Sequence, residues 1–239
     1  MKLSQKEHDG LTILERARSD PKVRALLADG FFDLVLSDSP EPPDDPVGRL
    51  SFSVPAREFA RGNDGSLYLL LPDGSVGFWS TDGSAGRIAE SMEDFFTLLI
   101  SCGDWQAFAL RPAGADETWF REEDRLEHFA VQQMQQVREG AASLRINLEA
   151  QQEILSRALG VPLCSGLSAV LRRFYEAALR EPRFTGTFRE EDGSLTPLPG
   201  LIEELFSDDT PHPPPDKSRE PTPAECAALA DRYGLTPKP

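Results

Sequence analysis

The apolar positions of this chain change period several times, and each period predicts a type of element. Residues 49–54, RLSFSV, alternate apolar and polar, which is the period of a half-buried strand. The apolar runs SLYLLL and SVGFW follow and are bounded by Asp-Gly pairs at 64–65, 73–74 and 82–83. Glycine accepts the positive φ that tight hairpin turns require. The pattern therefore predicts a meander of three or four antiparallel strands over residues 49–88, beginning at residue 49.

A capped apolar helix is predicted directly after these strands. Ser91 is placed to cap it, and Asp94 stands three residues on, at the positive end of the helix dipole. One face of the helix is apolar at the spacing i, i+3, i+4 and i+7, formed by Met92, Phe95, Phe96 and Leu99. That face must lie against an apolar surface, and the preceding sheet is the obvious support.

The segment before the strands predicts a helical layer and then a loop. Asp20 followed by Pro21 is a typical helix start, and Val23 and Leu27 follow at helical spacing, so we expect a first helical layer before residue 37. Residues 37–48, SDSPEPPDDPVG, hold four prolines within seven positions. Proline excludes a helix interior and disfavours a central strand, so we expect a surface loop.

The second half of the chain has the longer periods of helices. Residues 121–138 and 142–159 predict an antiparallel helix pair separated at Gly140, and residues 167–179 predict a third helix. A hairpin is expected across Asp192-Gly193. The fold class is α+β: a curved antiparallel meander packed on helices, followed by a mainly helical second half.

This pattern divides the chain into three segments. Residues 1–120 form an α+β domain, and residues 121–206 form a helical domain or an extension of the first. Residues 207–239 contain eight prolines and predict a Pro-rich linker, followed by a short helix between Thr222 and Tyr233.

Charge and cysteine content narrow the function classes. Forty acidic residues against 25 basic ones give a net charge of −15, which disfavours direct binding to nucleic acid phosphates. Such a surface attracts a basic partner, although it can also serve only to keep the protein soluble.

Cys102, Cys164 and Cys226 are widely spaced and odd in number, which indicates reduced core thiols and a cytoplasmic location. Since no signal-like run or stretch of 18 apolar residues is present, we expect neither export by a classical signal nor a membrane span.

The residue types that usually carry catalysis are not grouped in this sequence. The histidines are His8, His128 and His212, and none is near another His or a Cys in sequence. Asp124 and His128 share a helix face at i, i+4 and could hold a metal, but no second such pair completes a carboxylate-rich site. We therefore expect no catalytic residue, no metal site and no cofactor.

The segment FARGNDGSLYLLLPDGSVGFWSTDGSAGRIAESMEDFFTLLI resembles the central signature of the SUKH superfamily, the Smi1/Knr4-like fold. The resemblance covers about residues 57–101 and does not include the helical second half. The matching positions are Asn63, Asp64, Gly65, Tyr68, Asp73, Gly74, Val76, Phe78, Ile88, Ala89, Ser91, Met92 and Phe95.

The resemblance implies a bacterial immunity protein, which binds and neutralises a cognate toxin, often a nuclease, without chemistry of its own. A nuclease is basic where it holds nucleic acid, so an acidic surface can occupy that groove, and charge steering speeds association. The candidate contacts lie in the Pro-stiffened segment and are Asp38, Glu41, Asp44 and Asp45. Three alternatives stay open: that this segment is only a solvated loop, that the chain is a non-catalytic regulatory or scaffold protein, and that dispersed acids form an enzyme site.

Overall fold

The computed structural model describes residues 5–29, 31–43, 49–106, 119–164 and 166–202. The candidate residues Asp44 and Asp45, the thiol of Cys226 and the Pro-rich C-terminal segment lie outside the described residues. Within the described residues the chain is α+β with an antiparallel sheet packed on helices, so the predicted fold class is confirmed.

In the described part of the chain, helices and short strands occur in groups: two helices, six strands, a second group of helices, and two final strands. The helices are α1 (Gln5–Ser19), α2 (Pro21–Ala28), α3 (Met92–Cys102), α4 (Glu123–Ser143), α5 (Leu148–Leu159) and α6 (Leu167–Leu179), with a 3₁₀ turn at Trp119–Arg121. The strands are β1 (Val35–Glu41), β2 (Leu50–Phe52), β3 (Arg57–Arg61), β4 (Leu67–Leu70), β5 (Val76–Trp79), β6 (Ala85–Ala89), β7 (Gly186–Arg189) and β8 (Leu195–Pro197).

The main sheet has five antiparallel strands in the order β1-β3-β4-β5-β6. Its edge strand β1 includes residues 37–41, so the expectation of a loop is wrong for that part of the segment. Pro40 cannot donate to a strand ladder, but an edge strand tolerates it, and the β1–β3 register is interrupted between Leu36 and Glu41.

The second sheet has three antiparallel strands in the order β2-β7-β8. The alternation over residues 49–54 correctly predicts a strand, but β2 pairs with β7 and does not begin the meander. The meander runs instead through β3, β4, β5 and β6. The predicted hairpin across Asp192-Gly193 is confirmed as β7 and β8.

The Asp-Gly pairs form hairpin turns of one recurring type. In the turn between β4 and β5, the Gly74 N–H donates to the Leu71 carbonyl at 3.0 Å, and the Leu71 N–H donates to the Ser75 carbonyl at 3.0 Å. Gly74 has a φ of 82°, in the left-handed region that favours glycine. The same pattern of bonds closes the turns at residues 62–66, 80–84 and 190–194.

The main sheet is buried on both faces at its centre. The side chains of Tyr68 and Phe78 point into the main core with the helices, whereas Leu67, Leu69 and Leu71 pack with Phe184 beneath the second sheet. Strands buried on both faces have continuous apolar runs, which explains why SLYLLL does not alternate.

The helices share one core across both halves of the chain. Ser91 caps α3 as predicted, since its Oγ accepts the Asp94 N–H at 3.1 Å. Asp20 caps α2 in the same way, accepting the Lys22 N–H at 2.8 Å. The main core contains Leu14 of α1 and Leu171 of α6, so the helices after residue 120 pack on the same core as the first half.

The helices of the second half pack differently from the expected pair. Gly140 lies within α4, which continues to Ser143, and Asn147 caps the start of α5. The main packing of α4 is against α6, and α5 packs against α1, α2 and α3. The expected pairing of α4 with α5 is therefore not the main packing of either helix.

Candidate protein-binding surface

The face of the main sheet opposite the helices, here called the outer face, is only partly covered. Directly opposed residues of antiparallel strands share a face, and Arg61 lies opposite Leu67 while Glu58 lies opposite Leu69. Glu41 in turn lies opposite Glu58. The second sheet covers Leu67 and Leu69, whereas the part of the outer face formed by β1 and β3 carries mainly polar side chains together with the exposed Val35, which lies opposite Arg61.

An open groove of about 540 Å³ lies on this polar part of the outer face. All its described lining residues come from β1, from the residue after it, and from β3. They are Ser37, Asp38, Ser39, Glu41, Pro42, Glu58 and Arg61. We call this the β1 groove.

Two of the four candidate acids come together at the β1 groove. The Asp38 side chain is 90% exposed, and its Oδ1 lies 3.3 Å from Nη1 of Arg24 on α2. Glu41 is exposed, and its Oε1 accepts a hydrogen bond from Ser39 Oγ at 2.9 Å. Both carboxylates are therefore open to a partner.

A third carboxylate in the groove, Glu58, has a different environment. It is 7% exposed, and its Oε2 accepts from Arg61 Nη2 at 2.8 Å, with a second bond from Arg61 Nε to Oε1. A bidentate pair of this kind is strong, and it balances the charge of Glu58 within the protein. Neither residue was predicted from the sequence, since only the pairing of β3 with β1 brings them to the groove.

Arginines from the first two helices lie behind the groove. Arg18 Nε donates to the Ser37 carbonyl at 2.7 Å and holds β1 against α1. Burial lowers the pKa of Arg18, while the nearby Asp38 charge acts in the opposite direction. Arg18 and Arg24 thus offset part of the acidity, and the exposed carboxylates of Asp38 and Glu41 remain as acceptors for cationic side chains.

The other residue types considered for chemistry lie apart from this groove. His128 and Asp124 are both exposed on α4, and the described residues contain no group of three or more His, Cys, Asp or Glu arranged to hold a metal. Cys102 and Cys164 are free thiols, and burial raises the pKa of Cys102, which keeps it protonated.

The tryptophans that the structure describes belong to apolar clusters. Trp105 is buried in the main core, where its Nε1 donates to Tyr68 Oη at 2.9 Å. Trp79 is partly buried and packs against the cluster beneath the second sheet. Both indole rings therefore contribute to apolar packing inside the fold.

Among the described helices, none combines the length and the apolar character needed to cross a bilayer. Comparison of the chain with family models, with curated proteins and with solved structures finds no match.

Proposed function

We propose that this chain is a bacterial immunity protein that acts in the cytoplasm, binding a cognate basic toxin, such as a nuclease, and blocking it without catalysis. The observation that carries the proposal is the pair of exposed carboxylates, Asp38 and Glu41, beside the open β1 groove. The net charge of −15 supports it because a basic partner is attracted over a distance before contact.

The energetics of the β1 groove favour exchange with a partner's cation. The Arg24–Asp38 pair is exposed on both sides, and such pairs contribute about 0–1 kcal/mol. A lysine or arginine of the partner can therefore replace Arg24 at Asp38 at little cost.

The resemblance to the SUKH superfamily supports the same function. The turns at Asp64-Gly65 and Asp73-Gly74 and the helix capped by Ser91 belong to the segment that carries the resemblance. These turns and this helix are also what the local residues predict by themselves, so the resemblance remains the proposal's link to immunity.

The first experiment is to look for a toxin-like gene next to the gene for this chain and to co-express its toxic domain with this protein. We expect growth to be rescued and the two proteins to co-purify. If there is neither rescue nor co-purification, the inhibitor proposal is wrong, and the non-catalytic regulatory or scaffold alternative takes its place.

The second experiment tests the surface. The variant Asp38→Lys/Glu41→Lys should slow association by roughly tenfold and weaken its dependence on salt, because steering acts through these charges. The control variant Asp124→Lys/Glu127→Lys makes the same change in net charge on the exposed side of α4. Equal slowing in both variants would assign the effect to bulk charge, and unchanged kinetics in the first would place the interface elsewhere.

A further inference from the structure

The apolar cluster beneath the second sheet is separate from the main core. Its fully buried members are few: Leu67, Leu69, Leu71 and Phe184. The side chains that β2 and its flanks add are only partly buried: Leu50, Phe52, Val54 and Ala56. Because burial sets the strength of apolar contacts, the second sheet is held less firmly than the helices on the other face.

The contact between the sheets depends on a glycine in β5. A Cβ on Gly77 would lie 2.8 Å from Cε1 of Phe184, so the ring packs directly on the backbone of β5. Phe52 of β2 stacks on the same ring, with centroids 5.2 Å apart and planes at 25°. Phe184 is therefore the aromatic anchor of the second sheet.

A polar latch holds the segment that leads into β7. Arg87 of β6 is buried, and its Nη1 donates to the carbonyls of Arg180 at 3.3 Å and Pro182 at 3.5 Å. The Arg180 side chain pairs with the carboxylates of Asp73 and Glu90. These groups tie the end of α6 to the β4–β5 turn and to the end of β6.

The far end of the second sheet is anchored to the main body. The Ala85 N–H donates to the Pro199 carbonyl at 3.0 Å, and Leu201 packs over Gly86 as a member of the main core. Between these two attachments, β8 is exposed along its length, and Leu195 is an exposed apolar residue. The stretch between the latch and Pro199 thus has fixed ends and a weakly buried middle.

We propose that β2, β7 and β8 act as a flap that opens as one unit while the main core stays folded, with Arg180 and Asp73 as its latch. Opening uncovers the apolar side chains of β4 on the outer face. The flap is a property of the fold and does not depend on the proposed toxin binding.

Native-state hydrogen exchange tests the flap directly. The N–H groups of Ser53 and Arg189 report on it because they donate across the β2–β7 interface to the carbonyls of Thr185 and Arg49. We expect the open state that exposes these two amides to be at least about tenfold more populated than the open state that exposes the interior amides of α3. Equal opening populations for the two groups would overturn the proposal.

Two variants test whether Arg180 holds the flap closed and whether β2, β7 and β8 open together. Arg180→Gln should raise the population of the open flap roughly tenfold and leave exchange in α3 unchanged. The control Arg173→Gln removes the α6 ion pair with Asp94 at 3.0 Å and should not affect the flap.

Gly193→Ala strains only the β7–β8 turn, since its φ is 86° and no atom lies within 4 Å of the added Cβ. It should raise exchange at Ser53 as well as at Arg189, again by roughly tenfold. A response confined to the β7–β8 turn, or equal effects of Arg180→Gln and Arg173→Gln, would contradict the proposal.

Discussion

Two of the Asp-Gly-Ser turns provide a matched test of the latch. Asp64 and Asp73 have the same local role: each Oδ1 accepts the N–H of the serine two residues on, at 2.8 Å and 3.1 Å. Asp73 differs because its Oδ2 also pairs with Arg180 and lies 3.9 Å from Nη2 of Arg87. Replacing each aspartate by asparagine keeps an acceptor for the turn and removes the charge.

The two substitutions should differ in their effect on the free energy of unfolding. Asp64→Asn loses no ion pair that the structure shows, so a change within about 0.5 kcal/mol is expected. Asp73→Asn leaves Arg87, whose side chain is 6% exposed, without its nearest carboxylate. Breaking a fully buried pair costs about 3–5 kcal/mol. Because the Asp73 side chain is 47% exposed and solvent screens its charge, we expect about 1–2 kcal/mol.

Urea unfolding at pH 7, followed by circular dichroism, measures this difference. Asp73→Asn should lower the midpoint at an unchanged m value, with a fall in Tm of about 2–8 °C for a chain of this length. If the two variants agree within about 0.3 kcal/mol, the latch contributes nothing and the reasoning is refuted.

The pH dependence of the free energy of unfolding provides a second test of the Asp73 contribution. Burial tends to raise the pKa of Asp73, but the hydrogen bonds from Ser75 and Arg180 outweigh it and hold the pKa below the ordinary value of 3.8. A carboxyl with a lowered pKa stabilises the fold above its unfolded pKa and loses that contribution as the pH falls through its folded pKa. The gap between wild type and Asp73→Asn should therefore shrink below pH 4, and a gap that is constant from pH 5 to pH 2 would contradict this account.

Two further substitutions test the core and the cap of α3. Ser91→Ala removes the acceptor of the Asp94 N–H and should cost about 1 kcal/mol in urea unfolding, with Ser91→Asp restoring most of it; no loss would show that the cap is dispensable. Tyr68→Phe leaves the buried Trp105 N–H without its acceptor and should cost about 1–3 kcal/mol, together with a change in tryptophan fluorescence; a neutral result would show that another acceptor takes its place.

The features that the sequence predicted correctly depend on neighbouring residues. Asp20 and Ser91 cap helices because each side chain reaches an N–H two or three residues on. The turns at Gly65, Gly74 and Gly83 need only a residue that adopts positive φ. The residues that determine each of these features lie within about five positions of one another, so the features can be predicted without knowledge of the fold.

The errors concern partners that are distant in sequence. The alternation of Leu50 and Phe52 predicts a strand, but its partner β7 lies more than 130 residues away, and a period of two does not identify a partner. Pro40 was correctly judged unsuitable for a central strand, yet only the assembled sheet shows that β1 is an edge.

The same distinction applies to the candidate surface. Asp38 and Glu41 were identified because acids cluster in one segment of the sequence, and the structure places both at one groove. Glu58, Arg61 and Arg24 were missed because they come from β3 and α2, and only the packing of those elements on β1 brings them there. Sequence runs therefore identify the acids, and the fold determines which of them are paired.

This pairing decides which carboxylates are available to a partner. Glu58 already accepts two hydrogen bonds from Arg61 and is shielded from water, so a partner's cation would have to replace a bidentate bond to reach it. Among the described residues, Asp38 forms its ion pair with the exposed Arg24 and Glu41 accepts a hydrogen bond from a serine hydroxyl, so both can exchange partners at little cost. If the β1 groove binds a basic protein, Asp38 and Glu41 should therefore control association, while Glu58 and Arg61 maintain the shape of the surface that the partner meets.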